Sequence, residues 1–309
     1  MLANFLNKSK PINFITLLIL FFVALITNLY FRLFTASFTG NHLLESAILL
    51  VLFLVIFFFY NFIIGKNKLT SDNSYAYFFF TLLVMVFLPD FINYQTLLLT
   101  IIYLLFVRKI YSLRSEKKVL EKLFDSGFWL GVLCLLEPFF CIFFLLIYMA
   151  SYLHKKITVH TIFVPIVGFA APLFVYFTYF FWFDATQEFT NLFNFELIFD
   201  IQLYTNTSYF WLICSVLFFT VFAIFFKSIK ALSVNNTFRK SWILLIANFI
   251  ILVFFLLFLP QKNGSELIFI LFPISIILAN GVELVQKKTL KNIILSVSLI
   301  GGIIISFFL

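Results

Sequence analysis

Apolar runs alternate with short, mostly basic clusters along the whole of this chain. The runs at 12–30, 47–64, 75–88, 96–107, 161–183, 208–226, 242–259, 267–282 and 292–309 are predicted to be membrane-spanning helices, since about 20 apolar residues cover a bilayer's hydrocarbon core. Between the fourth and fifth of them, 110–125 places Ile110, Leu113, Leu120, Leu123 and Phe124 on one helical face. That spacing predicts an amphipathic helix lying in the membrane interface, with Lys117 and Glu121 paired at i,i+4 on its wet side. The block at 128–153 is apolar but carries Glu137, followed at once by Pro138. The segment 184–206, acidic and half apolar, reads as a second interfacial element. The expected fold is an all-α polytopic membrane helix bundle forming one integral membrane domain over 1–309.

Composition sharpens this picture. The 309 residues are 63% hydrophobic and 11% charged, with a mean hydropathy of +1.12. Soluble domains carry about 25% charged residues, so a water-soluble core is excluded. Phe, Leu and Ile are interchangeable as lipid-facing bulk, and the 50 Phe carry no further message. Cys134, Cys141 and Cys214 lie inside apolar runs without metal-ligand spacing and read as buried, inert thiols. The N-terminal charge followed by a long apolar run lacks a small-residue cleavage site, so it reads as an uncleaved first span.

The charges decide orientation. With the N-terminus in the cytoplasm, every one of the 21 Lys and Arg except Arg32 and Lys262 falls in a cytoplasmic loop. Glu45, Asp90, Asp184, Glu188, Glu196, Asp200 and Glu266 all fall outside. This is the positive-inside pattern, and it accounts for the formal net charge of +8 without nucleic acid. No nucleic-acid-binding motif is present. Lys122 and Lys155 both require the cytoplasmic side, so 128–153 crosses twice or not at all. It is too short for two spans of about 20 residues each. A short re-entrant pair with its tip at Glu137-Pro138 satisfies both facts and leaves nine full spans, with the C-terminus periplasmic. One Pro-kinked span, with Lys155 and Lys156 outside, is the alternative.

The chain shows no P-loop, GxSxG, HExxH, CxxC or DxD. No cofactor or metal is expected. Glu137 is the leading candidate, because an ionisable group inside a span costs roughly 2.5–3.5 kcal/mol and so faces a bundle interior or cavity; satisfaction by a neighbouring span is its structural alternative. Arg32 and Lys262, the outer-side cations, sit near polar groups: Arg32 with His42 and Glu45, Lys262 with Glu266. Such cations are candidate clamps for a lipid phosphate, or else snorkel to headgroups. His42 is a candidate proton carrier. Asp90 follows Pro89 at an outer helix end, where a plain turn acid is the alternative.

The opening NKSKPINF, the run FDSGFWLGVLCLLEP, the span VPIVGFAAP and the late SELIFILFPISIILAN resemble a family of multi-pass inner-membrane proteins of Bacteroidota without a settled function. More distantly, the layout is similar to the C-type polytopic glycosyltransferases, which use a polyprenyl-phosphate-linked sugar. That resemblance implies Glu45 or Asp90 as base, and Arg32 with Lys262 as phosphate ligands beside Glu266. The first outer loop departs from the pattern, having no Asp.

Three functions follow as expectations. A transferase at the outer face would bring Arg32, Glu45, Asp90, Lys262 and Glu266 to one cavity. A non-catalytic subunit of an envelope-assembly or secretion complex would have a filled interior and a small-residue partner groove around Gly168, Ala170 and Ala171. A transporter would have repeats and midplane polar groups, of which only Glu137 is evident. The expected partners are membrane lipids, a polyprenyl-phosphate-linked sugar and membrane-protein subunits.

Overall fold

A computed structural model describes residues 1–35, 40–115, 117–155, 157–193, 199, 202–205, 210–233, 236–260 and 262–308, with side chains omitted within 31–42, 232–237 and 307–309. These residues form helices without strands. In chain order they are α1 (Leu2–Leu6), α2 (Pro11–Thr35), α3 (Gly40–Asn67), α4 (Tyr75–Val86), α5 (Leu88–Phe91), α6 (Tyr94–Ser112), α7 (Val119–Leu136), a 3₁₀ segment (Pro138–Phe143), α8 (Phe144–Leu153), α9 (Val159–Trp182), α10 (Thr186–Asn191), α11 (Gln202–Thr205), α12 (Phe210–Ser233), α13 (Asn236–Phe258), α14 (Leu267–Glu283) and α15 (Lys288–Phe308).

Seven helices among the described residues are long and apolar enough to cross a membrane: α2, α3, α6, α9, α12, α13 and α15. Two predicted spans, 75–88 and 267–282, are shorter helices than these: α4 has 12 residues and α14 has 17. Both are sheathed by protein. Every residue of α4 is buried, as are most of α14. A helix surrounded by other helices need not match the lipid thickness along its own length.

The chain divides into two compact units, joined within α6 and by further chain crossings. The first comprises Met1–Leu98, Gln202–Asn235 and Asn263–Leu309. At its centre α4 packs against α14, while α2 and α15 lie against α4 and α12 lies against α14. Bilayer lipid is as apolar as Leu, so close packing and interhelical hydrogen bonds must hold these helices together. An aromatic cluster supplies the packing. Phe57 meets Phe21 and Phe80, and Tyr60 stacks on Phe80 with centroids 3.9 Å apart. The Tyr60 hydroxyl lies 2.5 Å from Ser275 Oγ and donates to the Ala76 carbonyl at 3.1 Å, joining α3, α14 and α4. Such ring pairs contribute about 0.5–1.5 kcal/mol each beyond their buried area.

The second unit comprises Leu99–Ile201 and Asn236–Lys262. Its core is the α7–α9 pair, whose backbones nearly touch. A methyl group on Gly127 would lie 2.0 Å from the Pro165 carbonyl oxygen, and one on Gly168 would lie 2.2 Å from that of Phe124. Gly127 and Gly131 form a small-xxx-small pair on α7, and this is the signal that admits α9. Thr158 and Thr161 close the start of α9 with reciprocal capping bonds.

The backbone break expected at Glu137-Pro138 is present. Glu137 is extended, with φ −146° and ψ 100°, between α7 and the 3₁₀ segment. Phe140 and Phe143, both wholly buried, anchor that segment against Phe255 of α13 and Tyr103 of α6. Tyr103 and Asn248 exchange hydrogen bonds of 3.0 and 2.8 Å, joining α6 to α13.

Four local expectations need correction. The interfacial helix at 110–125 is divided: α6 runs on to Ser112, turns follow, and 119–125 opens α7. Lys118, with a left-handed φ of 53°, marks the division. Glu121 pairs with Lys118 at 2.9 Å, at i,i+3, in place of Lys117. Cys214 is exposed, while Cys134 is buried and lies 2.9 Å from Cys141 across the break. Gly168 offers no partner groove because α7 covers it, although Ala170 remains exposed. The stretch 184–206 contributes α10 and α11, and 194–198, 200 and 201 within it lie outside the described residues.

Candidate functional site

The first unit brings together two of the sequence-predicted acids, Asp90 and Glu266. Each is positioned by a turn that its own sequence dictates. After α4, Pro89 opens the short α5 and aligns Asp90 in its first turn. Asn93 then caps α6, its side-chain oxygen accepting from the amides of Gln95 at 3.0 Å and Thr96 at 3.3 Å.

The second turn is Asn263-Gly264-Ser265-Glu266. The Asn263 side-chain oxygen accepts from the amide and the hydroxyl of Ser265, at 3.0 and 2.6 Å. Glu266 Oε2 in return accepts from the Asn263 amide at 3.2 Å. The Asn263 bond to the amide two residues on is an Asx turn, and the Glu266 carboxylate closes it ahead of α14. Ser265 Oγ lies 2.7 Å from Thr96 Oγ1, which ties the turn to the start of α6. Gly264, with φ +88°, makes the bend. A methyl group there would be strained in that conformation and would sit 3.5 Å from Asp90 Cγ, so the Asp90 carboxyl lies directly over this glycine.

Glu266 is 4% exposed. Its second oxygen accepts from the Tyr204 hydroxyl at 2.6 Å, a bond contributed by α11. Burial, and then the adjacent Glu266, push the Tyr204 phenol far above its ordinary range, so it stays a donor. Asp90 is half-buried. Desolvation, and then the Glu266 charge, raise its pKa above the usual carboxylate value.

That direction fixes a pH dependence. A raised folded-state pKa means that the folded protein holds the Asp90 proton more tightly than the unfolded chain does. The Asp90 contribution therefore favours folding most below its ordinary pKa, and this advantage is lost as pH rises through the raised value. Thermal melts in detergent between about pH 7.5 and pH 4.5 should show stability rising on acidification, and Asp90→Asn should flatten that rise and raise the midpoint at neutral pH.

Glu45 is exposed on α3. Arg32 belongs to α2 and His42 to α3, and their side chains lie outside the described ones. Lys262 belongs to the second unit, where its ammonium donates to the Leu257 carbonyl at 2.9 Å and so satisfies a carbonyl at the end of α13. Glu137 is partly buried at the helix break.

A buried ion pair at the other end of α14 is not among the predicted site residues. Glu283 Oε2 accepts from Lys227 of α12 at 2.8 Å, while Oε1 accepts from the Ser71 amide at 2.8 Å and Asn73 Nδ2 at 2.7 Å. Its partners are 56 and more than 200 residues away in sequence, so no local pattern announces it.

A family match covers residues 1–309, the whole of the chain. The chain belongs to DUF6427, a family of unknown function. No curated protein and no solved structure matches it. In this DUF6427 member the candidate chemistry lies with Asp90 and Glu266. Paired carboxylates, one hydrogen-bonded on both oxygens and one half-exposed with a raised pKa, can hold and release a proton at Asp90 while Glu266 fixes the turn.

Proposed function

We propose that this DUF6427 protein is a non-catalytic integral subunit of the bacterial inner membrane that holds together an envelope-assembly or secretion complex. It crosses nine times, by the seven long helices together with α4 and α14, with the N-terminus cytoplasmic and the C-terminus periplasmic. Helical rather than barrel architecture supports an inner-membrane location. The lysine and arginine distribution supports the orientation.

The observation that carries the non-catalytic reading is the state of Glu266. Both of its oxygens accept bonds from the chain itself, from Tyr204 and from the Asn263 amide. Glu266 thereby closes the turn that begins α14. Glu283 does the same at the far end of that helix, so the two acids act as fasteners for a buried helix.

A second reading has one specific observation in its favour. Asp90, beside Glu266 and with its pKa raised, has the character of a general base at an outer helix end. It would suit transfer from a lipid-phosphate-linked sugar, as the resemblance to C-type glycosyltransferases implies.

One experiment separates the two. Asp90→Asn and Glu45→Gln proteins, expressed in a deletion strain, should restore resistance to envelope stress as wild type does. They should also migrate in a mild-detergent native gel at the same position, above that of the chain alone. Loss of resistance by Asp90→Asn at unchanged protein level and migration would overturn the non-catalytic reading and favour the transferase one. Migration of the wild-type protein as an isolated chain would remove the subunit reading.

A further inference from the structure

The first unit carries an apolar groove of about 770 Å³ on its surface, walled by α12 and α15 with α4 and α14 as its floor. Small residues open it. A methyl group on Gly281 would lie 2.8 Å from Ala223 Cβ, so α12 sits close on α14. A methyl group on Gly302 would lie 3.3 Å from Leu82 of α4, so α15 sits close on the other side. The strip between the two helices is left unfilled, and Gly301, which lines it, has nothing within 4 Å of where a methyl group would stand.

Size selects the occupant. Lining residues run from Leu212 to Phe226 on α12 and from Ile293 to Ile305 on α15. At about 1.5 Å per residue this is roughly 20 Å, on the scale of one leaflet and short of the ~30 Å that a spanning partner helix would cover.

Charge selects it further. One end of the groove is lined by Phe226, Leu284, Val285 and Ile293. Immediately beyond those residues come Lys230 on α12, Lys287 in the following turn, and Lys288 and Lys291 on α15. Lys230, Lys287 and Lys288 are exposed. Lys230 continues the Phe222–Phe226 face of α12 by one further turn. Glu283, at this end, is paired with Lys227, and Asp72 is exposed in the loop between Ser71 and Asn73, which bond to Glu283.

We propose that the groove is a binding site for one anionic glycerophospholipid, its acyl chains lying between α12 and α15 and its phosphate among Lys230, Lys287 and Lys288. Basic pockets between spans on the cytoplasmic side suit such headgroups. The inference needs a bilayer around the chain but neither of the functional readings above.

The test uses the full chain in nanodiscs of phosphatidylcholine containing a minor share of phosphatidylglycerol of the same acyl length, with lipid retention read by native mass spectrometry. Wild type should retain one phosphatidylglycerol with roughly tenfold or greater preference over phosphatidylcholine. The Lys230→Gln/Lys287→Gln/Lys288→Gln protein should lose the preference while keeping its melting temperature in pure phosphatidylcholine. Gly301→Phe, which fills open space, should retain neither lipid. Equal retention of the two lipids by wild type overturns the proposal. So does a preference that survives the triple substitution, or a wild-type dimer that carries no lipid but dissociates on Gly301→Phe.

Discussion

Gly127→Ala is expected to leave almost no folded protein in the membrane, whereas Gly65→Ala should leave it as stable as before or slightly more so. Both are single-methyl changes in helices, and they differ only in what the methyl meets. On Gly127 it would lie 2.0 Å from the Pro165 carbonyl oxygen and 2.8 Å from the carbonyl carbon. Those are backbone atoms, so no rotamer change relieves the overlap. Relief requires α7 and α9 to separate, which would also open the contacts at Gly131 and Gly168. Overpacking commonly costs about 1–3 kcal/mol where side chains can yield, and a backbone collision should sit at or above the top of that range. On Gly65 the methyl would meet nothing within 4 Å, and helix propensity alone predicts a gain of about 0.5–1 kcal/mol. The comparison is read as accumulation in membranes and as the melting temperature of purified protein. Equal accumulation of the two would mean that α7 and α9 do not approach through glycine.

These glycines also show where the sequence was legible. The break at Glu137-Pro138 could be read directly, because proline disfavours helical backbone in the residue before it and Glu137 is extended. The apolar runs could be read as helices because composition alone distinguishes lipid-facing bulk. The relation between helices was harder. Gly127 and Gly131 carry the small-xxx-small spacing, yet the same spacing serves a partner chain or a neighbouring helix equally well. Gly168 was therefore expected at an intermolecular groove and is instead covered by α7. The shortness of α4 and α14 was hidden for a related reason. An apolar run shows that a residue avoids water, but it does not show whether lipid or protein surrounds it. At the candidate site, Asn263-Gly264 was a readable turn signal, whereas the approach of Asp90 and Tyr204 to Glu266 depended on long-range folding.

The buried pair at the end of α14 supports the second large prediction. Glu283→Ala should destabilise the first unit by about 3–5 kcal/mol, the usual cost of leaving a buried charge without its partner. Lys227 and Glu283 have side chains only 11% and 10% exposed, so solvent cannot replace the lost carboxylate. The acid stands at the C-terminal end of α14, where the helix dipole disfavours a negative charge. Lys227 offsets this, and the Ser71 amide and Asn73 side chain make the geometry specific. Removing the carboxylate therefore unfastens the 71–73 loop as well as α12. Lys227→Met should be comparably harmful, because it leaves the carboxylate on the unfavourable end of the dipole. The Lys227→Met/Glu283→Met protein should recover only part of the loss, since it removes both charges but still deprives Ser71 and Asn73 of their acceptor. Midpoints of denaturant unfolding in detergent for the two single variants and the double variant measure this. Full recovery in the double variant would mean that the loop bonds contribute nothing, while additive losses would mean that the two side chains do not act as a pair.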